Sequence, residues 1–326
     1  MSISDSRLAI VGATGLVGEN LLRILEERGH KPRLTLFASE RSQGKKIAFA
    51  GMEQSVIALT RDKIGDYDFA VFAAGGKISR EYAPIFAQKG CVVIDKSSAW
   101  RADPQCPLVI PQINAHALTN IPRGIIASPN CSTTGLVLVL KPLIDAFGVP
   151  EHIVVATFQS VSGAGRAASE ALLRQRDSDS SPAPFPAMIH DNIIPAIGEI
   201  DETLFYTEET KLSEESRKIL EIEELQISGT AVRVPVEIGH SEAVTILWKN
   251  DISLEGAIEE LRKAPTIEIS ELPMPSNCAG RDSVIVGRIR KTPKTSGVLN
   301  LFLCFDNLRR GAATNAVDIL EAIAEC

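Results

Sequence analysis

A short apolar run, Arg7 to Val11, passes directly into Gly12-Ala13-Thr14-Gly15-Leu16-Val17-Gly18, and Leu16 to Glu27 then repeats apolar residues at helical spacing. A chain written this way leaves a buried strand, turns sharply and enters a helix within a few residues. Glycines at these spacings let the turn close and let a pyrophosphate approach the backbone, while free amides at the helix start hold its charge. The glycines alone would also suit an ordinary strand-to-helix turn that needs positive φ. Their place between an apolar strand and a helix favours a dinucleotide.

The alternation continues through strands at Leu34 to Phe37, Phe69 to Ala73, Cys91 to Asp95 and Gly124 to Ala127, with a helix around Ser79 to Gln88. This predicts a parallel sheet wrapped by helices, a Rossmann-type α/β domain. A chain of 326 residues exceeds what one core usually serves, so a second domain is expected. Beyond Ala127 the strand-like runs lengthen, at His152 to Val161, Glu224 to Val236, Ser241 to Trp248, Ser283 to Arg290 and Val298 to Phe305. They predict an α+β domain with a larger, mostly antiparallel sheet. The last helical pattern, Arg309 to Ala324, is placed back on the first domain. The expected boundaries are 1–128, completed by 307–326, and 129–306. Arg174 to Pro186, rich in Ser, Asp and Pro, is expected to be a surface loop or lid.

A net charge of −7, with basic residues spread along the chain, argues against nucleic acid and for a small-molecule partner. No apolar run is long enough to span a bilayer, and Met1 to Arg7 lacks the pattern of a secretory signal, so the cytoplasm is expected and no membrane partner. Six cysteines without a CxxC spacing suggest neither disulfides nor a metal site.

The nucleotide's identity is set after the second strand, in Ala38-Ser39-Glu40-Arg41-Ser42. Arg41 between Ser39 and Ser42 offers a cation and hydroxyls to the extra phosphate of NADP, whereas Glu40 could serve an NAD ribose. NADP(H) is the favoured reading.

Ser128-Pro129-Asn130-Cys131-Ser132-Thr133-Thr134-Gly135 follows the strand ending at Ala127 and leads into an apolar helix, Leu136 to Phe147. Cys131 is thereby placed near a helix N-terminus, where partial positive charge favours the thiolate. Asn130 and neighbouring amides could steady an oxyanion. A thiolate that adds to an aldehyde and passes hydride to a nicotinamide becomes a thioester, which phosphate can cleave. Of the five histidines, His190 and His240 are the candidates for the accompanying acid-base. His240 follows Arg233-Val234-Pro235-Val236-Glu237-Ile238-Gly239, a strand turning over a glycine.

These motifs, together with Ser97-Ser98-Ala99-Trp100-Arg101, Gln159-Ser160-Val161-Ser162-Gly163-Ala164-Gly165, Gly239-His240-Ser241-Glu242 and Asp306-Asn307-Leu308-Arg309-Arg310-Gly311-Ala312-Ala313-Thr314-Asn315, occur in an order that resembles the aspartate-semialdehyde dehydrogenase family along essentially the whole chain. The resemblance implies reversible, NADP-dependent reductive dephosphorylation of L-aspartyl-4-phosphate to L-aspartate 4-semialdehyde, in lysine, threonine, methionine and diaminopimelate biosynthesis. It implies Cys131 as the thioester nucleophile, His240 as acid-base and Gln159 as the amide orienting the substrate. Arg233 is implied at the substrate carboxylate, Arg101 at the phosphate, Glu208 at the amine and Lys211 at the phosphate. Without the family, Glu208 and Lys211 read as an i, i+3 pair on a solvated helix. Gly12, Thr14, Gly15, Leu16, Val17, Ser39, Arg41 and Ser42 are implied for the nucleotide, with Ser162, Gly163 and Asn307 at its nicotinamide end. A homodimer or homotetramer built through the second domain is implied as well. Lys96, Gln112 and Gly135 depart from the residues usual in the family. N-acetyl-glutamyl-phosphate reductase is the nearest enzymatic alternative, although its Pro-Gly-Cys is absent, and a non-catalytic NADP-binding paralogue is the alternative from another class.

Overall fold

The computed structural model describes residues 2–177 and 184–325. The chain divides into two compact units, Met1–Asn130 with Ala312–Cys326, and Cys131–Gly311.

In the first unit β1 (Arg7–Val11), α1 (Leu16–Glu27), β2 (Arg33–Ala38), β3 (Lys46–Phe49), β4 (Met52–Ala58), β5 (Phe69–Phe72), α2 (Gly76–Gln88), β6 (Val92–Asp95), the single turn α3 (Pro111–Asn114) and β7 (Ile125–Ala127) follow one another. The seven strands lie in the order β3-β4-β2-β1-β5-β6-β7. The strands expected from the sequence, β1, β2, β5, β6 and β7, pair in parallel; β4 joins them in parallel beside β2, and β3, paired antiparallel with β4, makes the sheet mixed. The exception is local. Ala50 and Gly51 both take positive φ, +50° and +78°, and so join β3 to β4 by a tight hairpin at the sheet edge.

The second unit runs α4 (Cys131–Phe147), β8 (His152–Gln159), α5 (Arg166–Arg176), α6 (Thr207–Leu220), β9 (Ile227–Arg233), β10 (His240–Leu247), α7 (Leu254–Lys263), β11 (Ile267–Ile269), the single turn α8 (Pro275–Cys278), β12 (Val284–Lys291) and β13 (Val298–Phe305). Its six strands lie in the order β11-β12-β13-β10-β8-β9. Three pairings are antiparallel, while β8 with β9 and β11 with β12 are parallel. The sheet is therefore longer-stranded but no larger in strand number than the first. β8 and β9 can be parallel because the chain between them carries α5 and α6, long enough for a crossover. The segment expected as a loop from Arg174 is helical through Arg176; residues 178–183 lie outside the described residues.

After β13 a π-helical turn, Arg309–Ala313, precedes α9 (Thr314–Glu325), so the single helix predicted from Arg309 begins one turn later. Arg309 is held in the second unit by Asp282, Nε to Oδ1 at 3.0 Å. α9 belongs to the first unit, where Ala316, Val317, Ile319 and Leu320 join Leu8, Ile10, Leu21 and Ile24 in one core. Asn315 Nδ2 donates to the Val109 carbonyl at 3.0 Å and Ser128 Oγ at 2.8 Å. Asp318 receives Arg28 and Gln112, each at 2.8 Å, which gives Gln112 a role as a tether for α9. Among the described residues no helix is long and apolar enough to cross a membrane.

Gly135 sits in α4 where a Cβ would lie 2.1 Å from Cε1 of Phe305. In an exposed helix Gly→Ala stabilises by about 1 kcal/mol. Here Gly135→Ala overpacks a fixed ring and is expected to destabilise by about 1–3 kcal/mol. Thermal unfolding of the variant, and its partial rescue by Phe305→Leu, checks the sign.

Candidate active site

In the first unit β1 ends in Gly12 at φ +92°, and a Cβ there would lie 2.6 Å from the Ala73 carbonyl oxygen. A Cβ on Gly18 would fall 2.4 Å from the Gly12 carbonyl, so both positions admit only glycine. The amide of Gly12 donates to the Phe37 carbonyl at 2.8 Å, which pins the turn to β2. α1 starts at Leu16 with Gly15 before it. Leu16 and Val17 form its first turn, and both are half-buried.

Strand order reverses between β1 and β5, and a cleft of about 370 Å³ opens where these strands and β2 end. Gly12, Thr14, Gly15 and Ser39 line one side of it. The crevice at such a switch point is where open α/β sheets bind ligands. Ser42 Oγ lies 3.4 Å from Thr14 Oγ1, and Arg41 is exposed beside them. Sequence reasoning missed the opposite wall, Leu59, Ile78 and Tyr82. The helix expected around Ser79 to Gln88, which α2 fulfils, carries Tyr82 of that wall, but its apolar spacing gave no sign that it faces the cleft.

The ends of β6 and β7 bring Lys96 and Arg101 together around Ser128 and Pro129. Arg101 is buried, its Nε donating to the Ser128 carbonyl at 3.0 Å and its Nη2 to the Lys96 carbonyl at 2.8 Å. Lys96 Nζ donates to Ser128 Oγ and to the Pro129 carbonyl, both at 3.0 Å. Two cations thus grip the backbone just ahead of Asn130 and Cys131. Burial raises the pKa of Asp95, whose carboxylate accepts the Ser97 hydroxyl at 2.6 Å and anchors the start of the Ser97 to Arg101 loop.

The second unit sets its polar residues by strand register. His240 on β10 pairs with Phe305 on β13. The pairing of Ser241 with Phe158 brings His240 level with Gln159, and Gln159 in turn pairs with Arg233 on β9. Phe305, His240, Gln159 and Arg233 form one row across four strands, and paired residues project to the same face. α4 covers that face near Phe305, because Gly135 abuts its ring. Cys131 is the first residue of α4 and is half-buried, whereas Cys91, Cys106, Cys278 and Cys304 are buried. Burial pushes the Cys91 thiol up to about 12. A Cβ on Gly311 would lie 2.8 Å from Cys131 Cβ, which leaves room there for glycine alone.

Arg233 is buried, and Nη1 donates to the Ser160 carbonyl at 2.8 Å. Burial lowers its pKa, while Cys131 and Glu208 pull it upward, so both lie within electrostatic reach of the guanidinium. Gln159 spends its amide hydrogens on Thr157 Oγ1 and Glu208 Oε1, each at 3.3 Å. Glu208, on the first turn of α6, is only 7% exposed and pairs with Lys211 at 3.0 Å. The reading of these two as a solvated helix pair is therefore overturned. Helical spacing could not show that this turn packs toward β9.

His240 is fully buried. Burial, then the Arg233 charge, hold its pKa well below the usual imidazole value. The Ser160 amide donates to Nδ1 at 3.1 Å, so the neutral ring carries its proton on Nε2. Nε2 has no hydrogen-bond partner among the described residues. A Cβ on Gly163 would lie 3.1 Å from that nitrogen and 3.0 Å from Arg233 Nη1, so this glycine keeps the front of the row open. Asn307 Oδ1 accepts Ser160 Oγ at 2.9 Å and the Gly239 amide at 3.0 Å, and Nδ2 donates to Ser162 Oγ at 3.0 Å. The nucleotide positions expected at Ser162, Gly163 and Asn307 thus lie in the second unit, and the Asn307 side chain serves there as a staple. His190 is half-buried beside Asp191, at 3.2 Å, and is not part of the row.

Family models match both units. One described as "Semialdehyde dehydrogenase, NAD binding domain" covers residues 7–121, and one described as "Semialdehyde dehydrogenase, dimerisation domain" covers residues 140–310. The chain is 44% identical to an aspartate-semialdehyde dehydrogenase of Aquifex aeolicus, with 98% of each chain covered. It is 45% identical to one of Streptomyces akiyoshiensis, again over 98% of each. A crystal structure of aspartate semialdehyde dehydrogenase II complexed with ASA from Vibrio cholerae superposes with a TM-score of 0.94 at 39% identity, covering 98% of both chains. A dinucleotide cleft, a cysteine opening a helix and a buried row of Arg, Gln and His thus occur in a chain that matches these relatives from end to end: it belongs to the aspartate-semialdehyde dehydrogenase family.

Proposed function

We propose that the chain reductively dephosphorylates L-aspartyl-4-phosphate to L-aspartate 4-semialdehyde, reversibly and with NADP(H), through a thioester on Cys131. The observation that carries this reading is the row of Arg233, Gln159 and His240 on the face covered at one end by α4, the helix that Cys131 opens. The resemblance supports a place in lysine, threonine, methionine and diaminopimelate biosynthesis, and the sequence reading favours the cytoplasm. The matched dimerisation domain supports a homodimer or homotetramer.

Residues of the first unit fit a dinucleotide, since side chains at Gly12 and Gly18 would fill the turn where its backbone must approach. Gly12, Thr14, Gly15, Leu16 and Val17 would hold the pyrophosphate, and Ser39, Arg41 and Ser42 the 2′-phosphate that distinguishes NADP. When bound, the cofactor supplies or accepts the hydride.

Cys131 is held as thiolate by the α4 N-terminus and the nearby Arg233 cation. It attacks the acyl carbon of aspartyl phosphate, the C–O bond to phosphate breaks, and the leaving phosphate is taken by Arg101 with Lys211. Lys96, beside Arg101, adds positive potential at that end. Arg233 binds the substrate carboxylate through its planar fork and Glu208 the amine. Gln159, both amide hydrogens already committed, orients the substrate with its carbonyl side.

His240 enters through Nε2–H. With Nδ1 occupied by the Ser160 amide, the ring is a neutral donor to the oxygen that turns anionic when the thioester carbon is reduced, and Asn130 assists it. Collapse of that oxyanion releases the aldehyde and returns the thiolate. The acid-base expectation for His240 narrows to this donor role.

Cys131→Ala is expected to lower NADPH oxidation with aspartyl phosphate by more than about a thousandfold, with NADPH affinity by fluorescence titration little changed. Mass spectrometry of wild-type protein quenched with substrate should find an acyl adduct on Cys131. Normal turnover by the variant, or an adduct elsewhere, would overturn the thioester. His240→Ala should cost about a hundredfold to a thousandfold in kcat, and His240→Asn, which keeps an N–H donor, should cost less; equal losses would return the ring to a base. For Arg41→Ala, the ratio of KM values for NADPH and NADH should rise by roughly tenfold, as read from parallel titrations of the two cofactors.

A further inference from the structure

Arg233 and Glu208 come to the proposed substrate pocket from different elements, one from the end of β9 and the other from the first turn of α6. Strand register aligns the first and helical spacing the second, but neither fixes the two elements against each other. β9 is an edge strand, so alternate amides point away from β8 and need partners outside the sheet. The Arg233 amide donates to the Ile194 carbonyl at 2.8 Å, and the Ala231 amide, two residues earlier, donates to Glu209 Oε1 at 3.0 Å. Ala231 is 0% exposed, so water is no substitute for that carboxylate. Oε2 of Glu209 accepts the Tyr206 amide at 2.9 Å, one of the orphan donors where α6 begins. A single side chain thus bridges the free edge of β9 and the N-terminus of α6.

The packing beside this bridge is close. A Cβ on Gly229 would lie 2.8 Å from Leu212 Cδ1. Leu212, Glu215, Ser216 and Ile219 continue the buried stripe of α6 that Glu208 begins. The stripe determines which side of α6 turns inward, and Glu209 determines where along β9 its first turn sits. Glu208 there takes Gln159 Nε2 at 3.3 Å and Lys211 Nζ at 3.0 Å, and it lies within electrostatic reach of Arg233. A carboxylate offers about four lone-pair sites, so Glu208 retains acceptor capacity for an ammonium group.

We propose that Glu209 is a positioning residue that sets Glu208 at a fixed reach from Arg233, so that the amine and the carboxylate of one α-amino acid substrate are met together. Glu209 acts through the main chain of β9 and α6 and does not touch the substrate. The role rests on the amine assignment given to Glu208 above.

The test compares phosphorylating oxidation of aspartate semialdehyde with that of succinate semialdehyde, which keeps the chain length and the carboxylate but lacks the amine. Wild type should favour the amine-bearing aldehyde in kcat/KM. Glu209→Ala should cut that preference by at least about fivefold, through a raised KM for aspartate semialdehyde and with kcat within about threefold. Glu209→Gln, which keeps the side-chain volume and one acceptor oxygen, should cut it by at least about twofold and covers the case in which the alanine variant does not fold. The exposed Ser253 caps α7 by accepting the Gly256 amide at 3.0 Å, and Ser253→Ala should lower Tm while leaving the preference intact. Adding Glu209→Ala to Glu208→Ala should lower the preference no further than Glu208→Ala alone. Should Glu208→Ala lose the preference while both folded Glu209 variants keep it, or Ser253→Ala lose it equally, Glu209 is a helix cap only and the positioning role is overturned. A preference unchanged in Glu208→Ala itself overturns the amine assignment, and the positioning role with it.

Discussion

The proposed row of His240, Gln159 and Arg233 depends on how β10 is registered between β8 and β13. Side chains alternate along a strand, so a slip of one residue would carry His240 to the opposite face and put Ser241 in its place. The pairing is fixed by apolar residues farther along, where Val244 and Ile246 on β10 meet Leu301 and Leu299 on β13 and Val155 and Ile153 on β8. All of these are buried. Hydrophobic burial at one end of the sheet thus aligns imidazole, amide and guanidinium at the other.

That alignment costs stability. Arg233, His240 and Glu242 are all buried on the same face, and burial opposes the charged form of each. The structure limits the cost at Arg233 by giving it the Ser160 carbonyl and nearby anions. Ser160 is central to this economy. Its amide fixes the His240 tautomer, its carbonyl receives Arg233, and its hydroxyl is held by Asn307.

Features written in local pattern were legible in the sequence. The turn from Gly12 to Gly18, a helix opening near Cys131 and the β10 turn over Gly239 depend on residues close in sequence and were placed there, although α4 starts at Cys131 itself, five residues before the expected Leu136. Features decided by tertiary context were not. The β3–β4 hairpin has polar, half-exposed strands whose alternation is weak, and its turn relies on Ala50 in an uncommon positive φ. Glu208 and Lys211 read as solvated because nothing local shows that the first turn of α6 packs inward. Ser160 was quoted in a motif but given no role, since its contacts to His240 through the amide and to Arg233 through the carbonyl use main-chain atoms that carry no signature in the sequence. The mixed pairing of the second sheet was hidden by the long crossover between β8 and β9.

The first unit is assembled from the two ends of the chain. Val317, Ile319 and Leu320 of α9 share its core with Leu8, Ile10 and Leu21 of β1 and α1, yet the 181 residues of Cys131–Gly311 must be synthesised between them. At ordinary translation speeds that interval is roughly 10–40 s. Throughout it a nascent amino-terminal sheet bears an apolar face whose covering helix has not left the ribosome. The inner unit, contiguous in sequence, can mature first, and closure of the outer one waits for α9.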